Sequence, residues 1–181
     1  MSAARLYTIG HSTRTLEELV ALLQEHGVLR LADVRRFPGS RRHPQFSREA
    51  LERELPGYGI AYEHFDSLGG RRKPSAESRN AALHNDQFRG YADHMAGDEF
   101  RETMDRLLGD DRPTAVMCAE AVPWRCHRNL LADDATRRGV EVVHIMSPGK
   151  SSLHKLHKIA KIEGDAVIYP PPQQSLDFGG V

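Results

Sequence analysis

Cysteine is scarce in this chain, and neither sign of charge is in excess. The 181 residues include two cysteines, Cys118 and Cys126, too few for the disulfide framework of a small secreted protein. In a reducing compartment such a pair is more often structural, catalytic or metal-binding. With 25 basic and 25 acidic residues the formal net charge is zero, so no overall field attracts nucleic acid or a membrane surface. Any binding of anions must therefore be local.

Long apolar runs are also missing. The first residues, MSAARLYTIGHS, lack the apolar stretch of about 7 to 15 residues that a signal peptide needs. No later run approaches the roughly 18 residues that span a bilayer, so we expect a cytoplasmic protein without a membrane partner. The composition, with 39% hydrophobic and 28% charged residues, is that of an ordinary globular protein. We expect one α/β domain over residues 1–181, with residues 147–181 as a C-terminal extension packed on it.

Short apolar strands alternate with amphipathic helices along the chain. Thr15 and Glu18 predict a capping box at the first helix, and Gly27 is expected to end that helix in the left-handed conformation. Strands are predicted at residues 6–10, 29–34, 59–65, 114–118, 140–145 and 166–169, and the later helices at 47–55, 87–95, 98–108 and 126–138. This order predicts a three-layer sandwich around a mainly parallel sheet of five to six strands. A small or incomplete β/α barrel is the alternative, because sequence does not fix strand order.

Polar residues follow the predicted strands. They are His11 and Ser12, Asp33, Arg35 and Arg36, His64 and Asp66, Cys118 and Glu120, and His144 and Ser147. Because the carboxyl ends of parallel strands meet at one edge, where ligands bind in both architectures, we expect these residues to share a site. The general polarity of loops would explain any one of them. It explains Asp33, Cys118 and Glu120 less well, since they adjoin apolar strands where an unpaired charge is costly.

Four segments together resemble the domain of unknown function 488 family. They read Tyr7-Thr-Ile-Gly-His-Ser12, Asp33-Val-Arg-Arg-Phe-Pro-Gly-Ser40, Leu68-Gly-Gly70 and Met117-Cys-Ala-Glu-Ala-Val-Pro-Trp-Arg-Cys-His-Arg128. His154, Ala160 and Ala166-Val-Ile-Tyr-Pro170 resemble the usual C-terminal segment of that family, so the resemblance covers nearly the whole chain. It implies no settled activity, and the function has to be argued from the residues.

The segment from Cys118 to Arg128 leaves a strand and is predicted to begin a helix at Cys126. The free amides and the dipole of a helix N-terminus favour an anion, and Arg125 and Arg128 flank this one. Phosphate or carboxylate is the anion that we expect to bind there. In the alternative interpretation Cys126 only packs, while the arginines pair with carboxylates such as Asp33.

Two basic clusters follow the predicted strands. Between Arg35 and Arg48 the chain has five arginines and no acidic residue, and residues 71–73 add Arg-Arg-Lys. Arginine forks match phosphate geometry, which favours contact with a nucleotide or nucleic acid over a merely solvated loop. Trp124 and Phe46 are candidates for stacking a base.

The leading hypothesis is a small enzyme that acts on a phosphorylated or nucleotide-like substrate, by hydrolysis or base excision. Two carboxylates on neighbouring strands can hold unequal pKa values, so Asp33 and Glu120 are the expected acid/base pair, with His11 orienting water or substrate. The catalytic candidates are Asp33, Glu120, His11 and Cys118. The candidates for binding the anion are Arg35, Arg36, Ser40, Arg41, Arg125, Cys126, His127 and Arg128.

Two other classes of function stay open. One is a module that binds nucleic acid without catalysis, and the other is a thiol or zinc protein centred on Cys118 and Cys126. Zinc could also use His127 and His11, but the paired C-x2-4-C spacing of structural sites is absent, and no cofactor is predicted. As a nucleophile, Cys118 is similar to the cysteine of phosphatases and sulfurtransferases. The six residues between Cys118 and Arg125 make a longer loop than those enzymes use.

Overall fold

A six-stranded sheet is the framework of the protein. The computed structural model describes residues 4–39 and 41–173. Its strands are β1 (Arg5–Gly10), β2 (Arg30–Asp33), β3 (Ala61–His64), β4 (Thr114–Cys118), β5 (Glu141–Ser147) and β6 (Lys150–Leu153). They lie in the order β3-β2-β4-β1-β5-β6; the first five are parallel to their neighbours, and β6 is antiparallel to β5. Two further strands, β7 (Lys161–Glu163) and β8 (Ala166–Ile168), pair as a separate antiparallel ribbon.

Helices cover both faces of the sheet. They are α1 (Leu16–Glu25), α2 (Arg48–Glu54), α3 (Asp86–Met95), α4 (Asp98–Leu108) and α5 (Arg128–Arg137). Along β4, Ala115 and Met117 join the apolar cluster under α1 and α2, whereas Val116 and Cys118 join the cluster under α3, α4 and α5. This alternation confirms the three-layer α/β sandwich, and the sheet is open at β3 and β6 instead of closing into a barrel. Across residues 4–39 and 41–173, no helix is long and apolar enough to cross a membrane.

Local signals account for several helix ends. The capping box is confirmed, because Thr15 Oγ1 accepts from the amide of Glu18 and the Glu18 carboxylate accepts from the amide of Thr15. Gly27 has φ +65°, the left-handed conformation that favours glycine. Ser47 caps α2 by accepting from the amide of Ala50. The sequence therefore defines these boundaries without help from distant contacts.

Other parts of the chain differ from the prediction. Helix α5 begins at Arg128, two residues later than expected, because residues Pro123–Arg125 form a 3-10 turn and Cys126 is extended, with φ −133° and ψ 147°. A 3-10 helix, Leu55–Tyr58, continues past the predicted end of α2. Strands β6 and β7 were not predicted, since all their residues are exposed and carry no apolar pattern.

The C-terminal segment joins α5 through one buried carboxylate. His154 Nε2 lies 2.7 Å from Asp133 Oδ1, His157 Nδ1 lies 2.6 Å from Oδ2, and the Tyr169 hydroxyl donates to Oδ2 over 2.6 Å. The network extends to β5, where His144 Nε2 lies 2.9 Å from His154 Nδ1. Burial opposes the charge of Asp133, but hydrogen bonds from the two histidines and the tyrosine lower its pKa to about 2. A paired charge thus fixes the segment beside α5.

Replacing Gly10 with alanine tests the closest approach in the fold. A Cβ at Gly10 would overlap the carbonyl oxygen of Glu120 and lie 2.8 Å from Arg128 Nη1. We expect Gly10→Ala to lower the free energy of unfolding by at least about 1–3 kcal/mol, because overpacking forces the backbone apart. Gly57→Ala is the matched control, since nothing lies within 4 Å of a Cβ there. Denaturant unfolding measures both variants, and equal stabilities would contradict this packing.

Candidate functional site

A cleft of about 320 Å³ opens at the carboxyl edge of the sheet, beside the ends of β2 and β4. Four arginines, two cysteines, two phenylalanines and one carboxylate contribute to its lining. The lining residues are Arg35, Arg36, Phe37, Gly70, Arg71, Gln87, Phe88, Cys118, Ala119, Glu120, Arg125, Cys126 and His127. Strand ends, two loops and helix α3 therefore meet around one basic depression.

Two sulfur atoms lie side by side in the wall of this cleft. Cys126 Sγ donates a hydrogen bond to Cys118 Sγ over 2.8 Å, and both side chains are buried. Burial alone would raise the pKa of the Cys118 thiol, but the hydrogen bond from Cys126 and the positive charge of Arg128 lower it to about 7. Burial and the adjacent Cys118 sulfur raise the pKa of Cys126 well above its ordinary value. Near neutral pH Cys118 is thus substantially ionised, while Cys126 keeps its proton.

Arg128 supplies the charge that holds the Cys118 sulfur. Its side chain is fully buried, and Nη1 donates to Cys118 Sγ over 2.7 Å and to the Glu120 carbonyl over 2.6 Å. Nη2 donates to the Ala121 carbonyl over 3.0 Å. Among the described residues, Nε has no hydrogen-bond partner. A buried cation is stable only beside compensating charge, and the Cys118 thiolate provides it.

A second buried ion pair lies at the end of β2. Asp33 Oδ1 accepts from Arg35 Nε over 2.9 Å, and Oδ2 accepts from Arg35 Nη2 and from the Tyr62 hydroxyl, each over 2.6 Å. Burial and the Asp33 charge raise the pKa of Tyr62 far above its ordinary value, so its proton stays in this hydrogen bond. Asp33 has no exposed surface, and its oxygens face these partners instead of the cleft. The geometry makes Asp33 the residue that positions Arg35.

His11 lies behind Arg35 and is shielded from the cleft. Its Nε2 is 3.4 Å from Arg35 Nη1, and its ring stacks on Phe46 with the centroids 4.5 Å apart. Burial lowers the pKa of His11 to about 4, so the ring is neutral near pH 7. The prediction that Phe46 stacks a base is wrong, because Phe46 is fully buried against His11 and the α1 and α2 layer.

The Gly-Gly pair after β3 lies close to the loop after β2 and to the start of α5, beside the cleft. A Cβ on Gly69 would lie 2.8 Å from the Cα of Arg36, and one on Gly70 would lie 2.8 Å from His127 Nδ1. His127 Nε2 is 3.2 Å from the Val34 carbonyl, which ties the start of α5 to the end of β2. Side chains on the glycines would separate these elements, which explains why the turn has none.

The mouth of the cleft is basic and carries exposed aromatic rings. Arg36, Arg71 and Arg125 are exposed, and Arg36 Cζ lies 5.7 Å from the centroid of the Phe37 ring. Phe37, which lines the cleft, is 68% exposed, and Trp124, which precedes the lining residue Arg125 but is not itself in the lining, is 62% exposed. Arg71 has φ 59°, a left-handed conformation that costs a non-glycine residue about 1–3 kcal/mol. Sequence reasoning missed Phe37, although its place between the arginine pair and Pro38 was a signal for a residue presented by a turn.

The structure brings most of the predicted site residues together. Seven of them line the cleft: Arg35, Arg36, Cys118, Glu120, Arg125, Cys126 and His127. Three lie directly behind this lining, where Asp33 and His11 contact Arg35 and Arg128 contacts Cys118. Arg41 is exposed on the loop after β2, and Ser40 lies outside the described residues. The seven lining residues and the three behind them thus lie close together, whereas the roles of all the candidates stay predictions.

In residues 4–39 and 41–173, no group of three or more His, Cys, Asp or Glu side chains could hold a metal ion. The two sulfur atoms instead contact each other, and Cys118 also contacts the Arg128 guanidinium. Cys118 therefore already has a cationic partner in the structure.

Comparison with known proteins gives one match. The family described as domain of unknown function DUF488 matches residues 15–135, more than half of the chain. That range contains every residue that lines the cleft, together with Arg128, whereas β1 and the C-terminal segment lie outside it. No curated protein and no solved structure matched the chain.

Two buried histidines, His11 and His144, and the half-buried His127 should make the protein sensitive to acid. Burial lowers the pKa of His11 and of His127 to about 4, and that of His144 to about 3. Each ring is neutral in the folded protein but takes up a proton in the unfolded chain below about pH 6.5, so the unfolded state binds more protons. We expect the free energy of unfolding to fall by roughly 3–5 kcal/mol between about pH 7 and pH 5.

Denaturant unfolding across this pH range measures the effect. His157 acts in the opposite direction, because its hydrogen bond to Asp133 raises its pKa and its contribution is lost as the pH rises above about 6.5. His127→Gln removes one neutral histidine and should lose less stability over the same range, whatever its stability at pH 7. Unchanged stability of the original protein from pH 7 to pH 5 would show that these histidines are already protonated or exposed.

Proposed function

Since the chain belongs to the DUF488 family of domains of unknown function, we propose from its site that it is a small cytoplasmic enzyme acting on a phosphorylated or nucleotide-like substrate. The observation that carries this proposal is the Cys118 sulfur, which accepts a hydrogen bond from the buried Arg128 guanidinium in the wall of a cleft with four arginines. Perturbed ionisable groups that converge in a cleft are typical of active sites.

The arginines define the charge of the substrate. Arg71 and Arg125 have no acidic partner among the described residues, and Arg36 donates Nη1 to the Arg71 carbonyl over 3.2 Å. Their forks can bind phosphate oxygens in two-point contacts. Arg128 is not available for this role, because its guanidinium is committed to Cys118 and to two carbonyl groups. We therefore assign the anion to the exposed arginines at the mouth.

The exposed rings favour a nucleotide-like group attached to that phosphate. Phe37 lines the cleft directly, and Trp124 belongs to the 3-10 turn that ends at Arg125. A large exposed ring beside an arginine offers a stacking surface that suits any nucleobase. Phosphate contacts and stacking together would hold such a substrate by both of its ends.

Cys118 and Glu120 can divide the chemistry of hydrolysis. The Cys118 thiolate attacks the electrophilic atom of the substrate and displaces the leaving group, which takes up a proton from solvent water. Glu120 then removes a proton from water, whose oxygen attacks the covalent intermediate and releases the thiolate. Asp33 positions Arg35 and takes no proton in this scheme, because its four hydrogen bonds leave it facing away from the cleft.

A module that binds nucleic acid without catalysis is the second candidate. Arg41 and Arg42 are exposed on the loop after β2, four and five residues after the exposed Phe37. Such a module would contact several phosphates of a single-stranded nucleic acid and would not turn it over. Its affinity for that nucleic acid should fall steeply as the salt concentration rises. Turnover of a phosphorylated substrate instead supports the enzyme.

Replacing Arg125 tests the site of the anion. We expect Arg125→Gln to weaken binding of a nucleoside monophosphate by about tenfold, because a charge-assisted hydrogen bond contributes about 1.5–3 kcal/mol. Isothermal calorimetry measures the dissociation constant, and thermal shift with a panel of nucleotides and inorganic phosphate selects the probe. The control is Arg53→Gln, which removes an exposed arginine from α2.

Cys118→Ser separates binding from chemistry in the same experiment. It should bind the probe with a similar dissociation constant but lose turnover, since a serine hydroxyl is not ionised near neutral pH. Equal affinity in the Arg125 and Arg53 variants would refute the assignment of the anion. Full turnover by Cys118→Ser would refute the nucleophile.

A further inference from the structure

We propose that Cys118 and Cys126 form a reversible intramolecular disulfide when the protein meets a hydroperoxide, with Cys118 oxidised first and Cys126 resolving it. Formation of the disulfide depends only on the geometry of the two thiols. The further consequence, that oxidation switches off the site, rests on the function proposed above.

The two sulfur atoms are already arranged for this reaction. Cys126 Sγ lies 2.8 Å from Cys118 Sγ and donates its proton toward it. Both residues line the cleft, so a molecule as small as hydrogen peroxide can approach the Cys118 sulfur from outside. Cys126 lies between the 3-10 turn and α5 and has extended backbone angles, so it can move closer without unwinding a helix.

Charge assigns a different role to each cysteine. Arg128 Nη1 contacts Cys118 Sγ, which stabilises the thiolate that reacts with peroxides, and the lowered pKa of Cys118, about 7, agrees with this contact. The raised pKa of Cys126 keeps it a thiol until an oxidised partner is present. Cys118 is therefore the peroxide-reactive residue and Cys126 the resolving residue.

The proposed steps balance with hydrogen peroxide as the oxidant. The Cys118 thiolate attacks one peroxide oxygen, the O–O bond breaks, and Cys118 sulfenic acid and hydroxide form. The Cys126 sulfur then attacks the Cys118 sulfur, the S–O bond breaks, and the hydroxyl group leaves as water with the Cys126 proton. The hydroxide takes up the proton that Cys118 lost when it ionised and becomes the second water. Overall, two thiols are oxidised to one disulfide, and one hydrogen peroxide is reduced to two waters.

Arg128 also makes the disulfide easy to reduce. Oxidation removes the negative charge of Cys118 and leaves a fully buried guanidinium with carbonyl partners only. Because Arg128 stabilises the thiolate of the reduced form, the disulfide is more oxidising than an ordinary structural one. Glutathione should therefore restore both thiols, which makes the bond a switch and not a permanent crosslink.

Peptide mapping of the unmodified chain provides the main test. The protein contains two cysteines, so any intramolecular disulfide must join Cys118 to Cys126. Treatment with an equimolar amount of hydrogen peroxide, followed by alkylation and mass spectrometry, should show both thiols lost together and a Cys118–Cys126 crosslinked peptide. Glutathione should then return both alkylation sites. The rate of thiol loss should rise with a midpoint near pH 7, the pKa of Cys118, and not near the value of about 8.5 for an ordinary thiol.

Two variants assign the order of the steps. In Cys126→Ser the Cys118 sulfenic acid should persist and be captured by dimedone, whereas in Cys118→Ser the remaining thiol should stay reduced. Sulfinic acid on Cys118 of the unmodified chain with Cys126 still free, or disulfides only between chains, would overturn the proposal. If neither variant folds, peptide mapping of the unmodified chain still tests the proposal.

Binding of the nucleoside monophosphate to reduced and oxidised protein separates the two proposals. A disulfide in a protein that binds no nucleotide and no phosphate leaves disulfide formation standing and refutes the proposed substrate class. Turnover that is unchanged in fully oxidised protein refutes Cys118 as the nucleophile while the disulfide itself stands.

Discussion

The buried guanidinium of Arg128 is the interaction on which the site depends. It connects the Cys118 sulfur to the carbonyl groups of Glu120 and Ala121, and so fixes the loop after β4 against the first turn of α5. Gly10 must lack a side chain because this loop and Arg128 occupy the space beside it. Three separate segments therefore depend on one cation, whose charge is tolerable because a sulfur anion lies beside it.

Two more buried ionic groups organise the surrounding structure in the same way. Asp33 holds Arg35 at the wall of the cleft, and Asp133 holds the C-terminal segment beside α5. Each carboxylate is buried and each has several donors, as buried charge requires. The difference lies in access, because Arg35 lines the cleft whereas the Asp133 network does not. Buried ion pairs are consequently evidence of function only where a cleft reaches them.

The sequence predicted the fold well where the physical signal is local. Thr15 with Glu18, Gly27 and Ser47 define helix ends through their own hydrogen bonds and backbone freedom, and the structure shows each of them. The sequence did not predict β6 and β7, because their residues are all exposed and so show no alternation of apolar and polar residues. The start of α5 was misplaced because the N-cap residue His127 makes no side-chain capping hydrogen bond, and Cys126, which accepts from the amide of Arg128 through its sulfur, is not a residue type that marks a helix start.

By itself the sequence determined the family, an α/β fold with a mainly parallel sheet and the edge of that sheet where polar residues gather, because strand ends and family motifs are properties of the chain order, whereas the strand order of the open sandwich came from the structure. Only the tertiary structure decided which arginine faces Cys118 and which carboxylate faces the cleft. Arg125 and Arg128 are three residues apart, yet one is exposed at the mouth and the other is fully buried. Asp33 and Glu120 likewise end neighbouring strands but point to different surroundings. The reason is that the direction of a side chain is set by the turn that precedes α5 and by packing against Gly10, and neither is written in residue spacing.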